Sequence, residues 1–455
     1  MRKISVLALA ALAFALVSIG CRRDNEDWRT DAAQPDALHY AMQGVTDIIV
    51  HDIFSPPQAA RIYTYAALAA YETARHGDST YLTLSGQLNE LGALPLPDPG
   101  ADYSFDYAAV VALMDVGEEL TFSADQAEMI RDSLRRRFEE VRMPDDVFAR
   151  SEAFGHEVAQ AVIAYSKGDN YAQSRTFPKY SVTDEPGRWR PTPPDYMDGV
   201  EPHWGKMRPF VLDSASQCRP IAPPSYDMTP GSEFYEDVME VYTALDTETD
   251  ERKAIAAFWD CNPYVSHHQG HVMFATKKIS PGGHWIGIAK TVAQKEGNST
   301  LEAAETYTKV SVALYDGFVS CWDEKYRSNL VRPETVINEQ IDPDWLPLLQ
   351  TPPFPEYTSG HSVISRAAAA AMTDLYGGDY AYTDSVEVAY GLPARAYDSF
   401  FAASDEAADS RLYGGIHYGP AIYEGVKQGE QVGQLVVDRL RFREGGAMER
   451  VSLVE

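Results

Sequence analysis

Apolar positions recur at three- and four-residue spacing along most of this chain, and no alternating run is long enough for a substantial sheet. The pattern turns helical at Leu38, and 59–76 is rich in alanine, with tyrosine and leucine on helical spacing. Two further helices are predicted over 124–141 and 147–166. Residues 91–100 form a Pro/Leu/Gly loop, and 177–230 is irregular and proline-rich, a cover or connector between helical layers. Beyond it, helices are predicted over 233–246, 250–258, 283–296, 301–325, 362–376, 385–391, 394–409 and 417–442. Gly425, Gly429 and Gly433 recur at i, i+4 and i+8, a stripe that lets another helix approach closely. The expected fold class is all-α, built of helical bundles, with an N-terminal helical region over 37–230 and a C-terminal one over 231–455.

The ends and the composition narrow the setting. Residues 1–20 read as an export signal, with Arg2 and Lys3 ahead of an apolar run from Ile4 to Gly20. Cys21 follows directly, as in bacterial lipoproteins, although Ser18 stands where a larger aliphatic residue is usual. The expectation is a periplasmic or outer-membrane/cell-surface lipoprotein anchored at Cys21, with ordinary secretion as the alternative and 21–36 as a polar tether. A formal net charge of −28 argues against nucleic acid as a partner. Cys218, Cys261 and Cys321 show no CxxC spacing, so a zinc site is not expected, and one disulfide plus a free thiol stays open.

Against that acidic background, three segments concentrate cations and imidazoles. They are Lys325-x6-Arg332-Pro333, Ser359-Gly360-His361 and Ser410-Arg411-x5-His417. Guanidinium forks grip pairs of oxygens, and a lysine adds a point charge. Thr358 and Ser359 precede an alanine-rich run, so Ser359 and Gly360 fall at a helix N-terminus, where N–H groups and the helix dipole favour an anion. Lys325 ends a helix, and Arg332 is expected in a loop broken by Pro333. Gly414 and Gly415 permit the turn that brings Arg411 and His417 together. The set suits a bound tetrahedral oxyanion.

The order and spacing of these segments resemble the vanadium-dependent haloperoxidases and the type 2 phosphatidic acid phosphatases. The resemblance implies an oxyanion site inside a four-helix bundle. His417 bonds vanadium there, or attacks phosphorus in a phosphatase. Lys325, Arg332, Ser359, Gly360 and Arg411 hold the oxygens, and His361 is the acid–base residue. In haloperoxidases the lysine also polarises bound peroxide. Trp322 and Phe354, with Tyr264 on weaker grounds, resemble the halide side of the pocket. The segments Phe258-Trp259-Asp260 and Gly282-Gly283-His284-Trp285 resemble the bacterial iodide-oxidising members. The implied cofactor is vanadate, for which phosphate can substitute, and the implied partners are hydrogen peroxide, a halide and small organic acceptors.

The chain departs from the family pattern at one position. The acid usual four residues after the apical histidine is replaced by Ala421, so a carbonyl or another acid must orient the ring, with Glu424 as one guess. Other readings are an exported acid phosphatase with a phosphohistidine intermediate and a non-catalytic anion-binding surface lipoprotein. His267 and His271 fall at i, i+4 on a candidate helix and could bind zinc, but the glutamate of HExxH is absent, and a structural or supporting role is expected instead. His284 is assigned no function beyond a helix cap.

Overall fold

The computed structural model describes residues 25–245, 249–269 and 272–444, with the backbone alone for 267–269 and 272–275. The expected signal, Cys21 and His271 lie outside the described residues. In the N-terminal half, helices α1 (Trp28–Asp31), α2 (Pro35–His51), α3 (Pro56–Ala74), α4 (Phe105–Glu119), α5 (Ala124–Glu139), α6 (Asp145–Ser166) and α7 (Tyr171–Ser174) follow in order. The second half holds α8 (Glu233–Ala244), α9 (Asp250–Phe258), α10 (Pro281–Lys295), α11 (Thr300–Ser328), α12 (Pro333–Gln340), α13 (Gly360–Tyr376), α14 (Phe400–Tyr413) and α15 (Gly419–Arg439). Among the described residues, strands are confined to two antiparallel pairs, β1 (Ser266–Gln269) with β2 (Val272–Ala275) and β3 (Tyr382–Asp384) with β4 (Arg395–Tyr397). Among the described residues, no helix is long and apolar enough to cross a membrane.

Helix α11 is the axis of the molecule. Almost every residue from Thr300 to Trp322 is buried, because α3, α10, α13 and α15 all pack around it. Ser299 caps its start in a capping box with Glu302, and Asn329 in the left-handed region ends it. Its last turn therefore delivers Trp322 and Lys325 to one end of the bundle. The proline-rich segment covers this helix as expected. Asp316 accepts N–H bonds from Phe210, Val211 and Leu212 at 2.7, 2.7 and 3.0 Å. The Val200 carbonyl takes the Trp322 indole N–H at 3.2 Å and the Tyr326 hydroxyl at 2.7 Å.

The glycine stripe packs α15 onto α13. A Cβ on Gly429 would stand 2.2 Å from the Val363 carbonyl oxygen, and one on Gly433 would stand 2.6 Å from Ala370 Cβ. The same approach lets the Ser359 N–H reach the Ala421 carbonyl at 3.0 Å, fixing the start of α13 against α15.

Several sequence expectations change. Residues 395–397 form a strand, so the helix expected from 394 starts at Phe400, where Ser399 caps it. Residues 386–390 form a 3-10 turn, and the last helix starts at Gly419, two residues after His417. Arg332 is not in a plain loop: it is the N-cap of α12, since Pro333 at the first helical position has its φ preset and needs no N–H partner. His267 lies on a strand paired with Phe274, which removes the helical pairing with His271. Trp28 is buried inside the segment expected to be a tether. Cys218, Cys261 and Cys321 are all free and buried, so no disulfide joins them.

Gly429→Ala should destabilise the fold by about 1–3 kcal/mol, the usual cost of overpacking. Gly378→Ala, whose Cβ would meet nothing within 4 Å, should stay within about 0.5 kcal/mol of the parent. Thermal unfolding of the two variants checks the helix contact, and equal midpoints would refute it.

Candidate oxyanion site

Four segments meet at the end of α11. The helix brings Trp322 and Lys325. Arg332 leads into α12. The connection into α13 carries Phe354 to His361, and the α14–α15 turn carries Arg411 and His417. Gly415 makes that turn at φ +72°, a region glycine enters without strain. Gly360, His361, Arg411 and His417 line one cavity with Tyr264, Trp322, Phe354, Asp260 and Cys261. Lys325, Arg332 and Ser359 are fully buried around it.

The three cations share one trait. None of them is ion-paired with a carboxylate among the described residues; main-chain carbonyls hold them instead. Lys325 Nζ donates to the carbonyls of Pro355 and Glu356 at 3.0 Å each and of Thr358 at 2.5 Å. Contact with an oxyanion therefore requires the ammonium to exchange one of these carbonyls, because it has three protons. Arg332 donates from Nε to Phe354 at 2.9 Å and from Nη1 to Ile416 at 2.9 Å, while its buried Nη2 has no partner. Arg411 donates from Nε to Ser410 Oγ at 2.9 Å and from Nη2 to the Trp259 carbonyl at 2.7 Å. Burial pulls Lys325 down to about 7 and both guanidiniums down to about 10. A buried, uncompensated cation cluster is costly, and a bound anion relieves it.

The two histidines are held neutral. Burial, then Arg332 and Lys325, lower His417 well below its ordinary value; burial, then Arg411, do the same to His361. His417 Nδ1 lies 2.8 Å from Glu356 Oε1 and Nε2 lies 3.1 Å from Arg332 Nη1. Arginine can only donate, so Nε2 carries the lone pair and Nδ1 the proton. Glu356 Oε1 also accepts the Tyr418 N–H at 2.9 Å. The ring-orienting acid is thus Glu356, which burial pushes up to about 7. Glu424, the sequence guess, instead pairs with Lys427 at 2.6 Å. His361 donates to the Trp259 carbonyl, leaving its buried Nε2 without a partner. The Ser359 hydroxyl accepts from the Ser362 N–H at 3.3 Å and the Ser362 hydroxyl at 2.8 Å, which leaves its own O–H as a donor.

The aromatic side is compact. Trp322 and Phe354 ring centroids are 4.9 Å apart, and Lys325 Nζ lies 5.0 Å from the Phe354 centroid. Tyr264 joins the same cavity wall from the α9–β1 connection.

A solved bacterial vanadium-dependent iodoperoxidase superposes with a TM-score of 0.86 and is 49% identical, covering 91% of this chain and 98% of its own. The chain belongs to the vanadium-dependent haloperoxidases. The family description "VCPO second helical-bundle domain" matches residues 305–444, the part that carries all three motifs. Holo- and apo-type structures of a bacterial vanadium-dependent chloroperoxidase share the fold, each at TM-score 0.62 and 18% identity. The holo form covers 88% of this chain and 92% of its own, and the apo form 84% and 93%. No curated protein matches.

This haloperoxidase brings all ten sequence-nominated residues to one place. Two more were missed. Glu356 stands five residues before His361, and only its acidity in an otherwise apolar stretch could have marked it. The Trp259 carbonyl serves both Arg411 and His361, and backbone acceptors leave no sequence signal.

Glu356→Gln should weaken vanadate binding about 10- to 100-fold by loosening the His417 ring. Glu424→Gln should leave it unchanged. Vanadate titration of both variants checks the assignment; equal affinities would return the orienting role to another group.

Proposed function

We propose that this haloperoxidase oxidises iodide with hydrogen peroxide to hypohalous acid, using vanadate bound at His417. The observation that carries the iodide reading is the 49% identity, across nearly the full length, to an iodoperoxidase. The cavity supports it, because iodide is large and weakly hydrated and loses least on meeting a wall of Tyr264, Trp322 and Phe354.

The residues fit vanadate. Buried Arg332 Nη2 and His361 Nε2 lack partners, three cations lack carboxylates, and His417 Nε2 offers a lone pair fixed by Glu356. Bound vanadate supplies a Lewis-acidic centre that activates hydrogen peroxide toward halide at constant oxidation state. Arg332, Arg411, Lys325, Ser359 and the Gly360 N–H orient the oxygens and offset their charge. His361 Nε2, kept neutral by burial and by Arg411, would accept and return the proton of an incoming peroxide. The Trp259 carbonyl keeps the opposite ring nitrogen protonated, so that proton traffic is confined to Nε2. The exported form at Cys21 is supported by the chain's basic-apolar start.

A second reading, hydrolysis of phosphate monoesters by the vanadate-free enzyme, is favoured by Glu356. It supplies the orienting acid that a nucleophilic imidazole needs.

Vanadate-loaded protein should oxidise iodide faster than bromide, and the vanadate-free form should be assayed beside it on p-nitrophenyl phosphate. His417→Ala should abolish oxidation; retained turnover would require another anchor. Phosphatase activity alone would favour the second reading.

The pH dependence has a definite sign. Lys325, lowered to about 7, is charged below that value and loses its charge above it. Phosphate gains charge over the same range and Glu356 is also pushed up to about 7, so the lysine's share is read against Lys325→Arg: the parent's phosphate affinity should fall relative to the variant's as pH rises through about 7. Parallel profiles in the two proteins would mean that the lysine charge does not hold the anion.

A further inference from the structure

Behind the Trp259 strut lies a second cluster that the oxyanion chemistry does not use. Cys261, just after α9, His284, in the first turn of α10, and Glu387, in the 3-10 turn after β3, converge there from three segments. All three are buried. Cys261 Sγ lies 3.4 Å from His284 Nδ1, Nδ1 lies 3.2 Å from Glu387 Oε1, and Sγ lies 3.8 Å from Oε1.

We propose that Cys261, His284 and Glu387 form a binding site for a thiophilic divalent cation, Zn²⁺ before others. The triangle matches one face of a zinc tetrahedron. Bonds of about 2.3 Å to sulfur and about 2.0–2.2 Å to nitrogen and oxygen place the ligand atoms about 3.6 Å (S–N), about 3.3 Å (N–O) and about 3.6 Å (S–O) apart. Each observed edge lies close to its counterpart. The mixed thiolate, imidazole and carboxylate set selects zinc over magnesium or calcium, which take oxygen ligands.

The surroundings are those of a metal-bound histidine. The His284 Nε2 atom lies 2.7 Å from Asp384 Oδ2, and Asp384 is itself buried and accepts the Val386 N–H at 3.0 Å. A carboxylate on the far nitrogen fixes the tautomer that turns the Nδ1 lone pair toward the metal. Trp259 stacks on the ring at 4.6 Å between centroids, and Phe258 meets it edge-on at 5.3 Å. The thiol proton of Cys261 and any proton on His284 Nδ1 are released as the cation enters, the thiolate sulfur and the nitrogen lone pair bond it, and water completes the coordination.

The site has a structural consequence. Cys261 is two residues from Trp259, whose carbonyl holds Arg411 and His361. A cation there pins this strut to α10 and to the β3 hairpin, so it positions the oxyanion residues without touching the oxyanion.

Cobalt(II) tests the proposal on the vanadate-free full chain after chelator treatment. About one equivalent should raise a thiolate-to-cobalt charge-transfer band, and zinc should quench it. Glu387→Gln should weaken binding at least tenfold, and Cys261→Ser should remove the band. No band, or the same band in Cys261→Ser, overturns the assignment and leaves His284 as a protonated ring between Asp384 and Glu387. Crystals grown with zinc serve if a variant does not fold. An anomalous peak at the zinc edge bonded to all three residues upholds the site, and zinc bound only elsewhere overturns it.

Discussion

The structure depends on how three buried cations are held without being neutralised. Lys325, Arg332 and Arg411 meet main-chain carbonyls from Trp259, Phe354, Pro355, Glu356, Thr358 and Ile416. A carbonyl dipole solvates a buried charge and leaves its sign intact, whereas a carboxylate would cancel it. Asp260, whose charge acts on Arg411, takes its hydrogen bond from Lys278 at 2.5 Å. The bundle therefore stores positive potential in a low-dielectric place, and an oxyanion is the partner that discharges it.

The carbonyls have to come from somewhere, and they explain the irregular segments. A helix interior uses its own carbonyls, so acceptors for buried cations must come from helix ends and connections. The stretch from Phe354 to Thr358, between α12 and α13, supplies most of them. The covering segment around Val200 and 210–212 plays the complementary part, tying α11 in place so that Lys325 meets these acceptors at a fixed depth.

Glu356 joins the two halves of the chemistry. Its carbonyl holds Lys325, and its carboxylate sets the tautomer of His417. One residue thus fixes both the charge and the lone pair. The family pattern places the orienting acid one helical turn after the histidine. Here the orienting acid comes from the connection before α13, and the freed position, Ala421, lies against the start of α13 with its carbonyl on the Ser359 N–H.

The sequence alone determined the helical class and most helices, and it nominated the seven oxyanion candidates that the structure gathers in one place. Each rests on local information: apolar period, caps, and short motifs whose internal spacing survives folding. It misplaced 395–397, read Arg332 as a plain loop residue and read 267–271 as a helix, where propensity is weak and pairing or capping decides. Only the tertiary structure decided what lies between segments. Glu356 meets His417 across 61 residues, and Cys261 meets Glu387 across 126. CxxC-type reasoning cannot see such a cluster, because its ligands come from three segments far apart in the chain. A carbonyl such as that of Trp259 is chemically the same at every position in the chain. Its role as acceptor for Arg411 and His361 exists only because the packed helices aim it there.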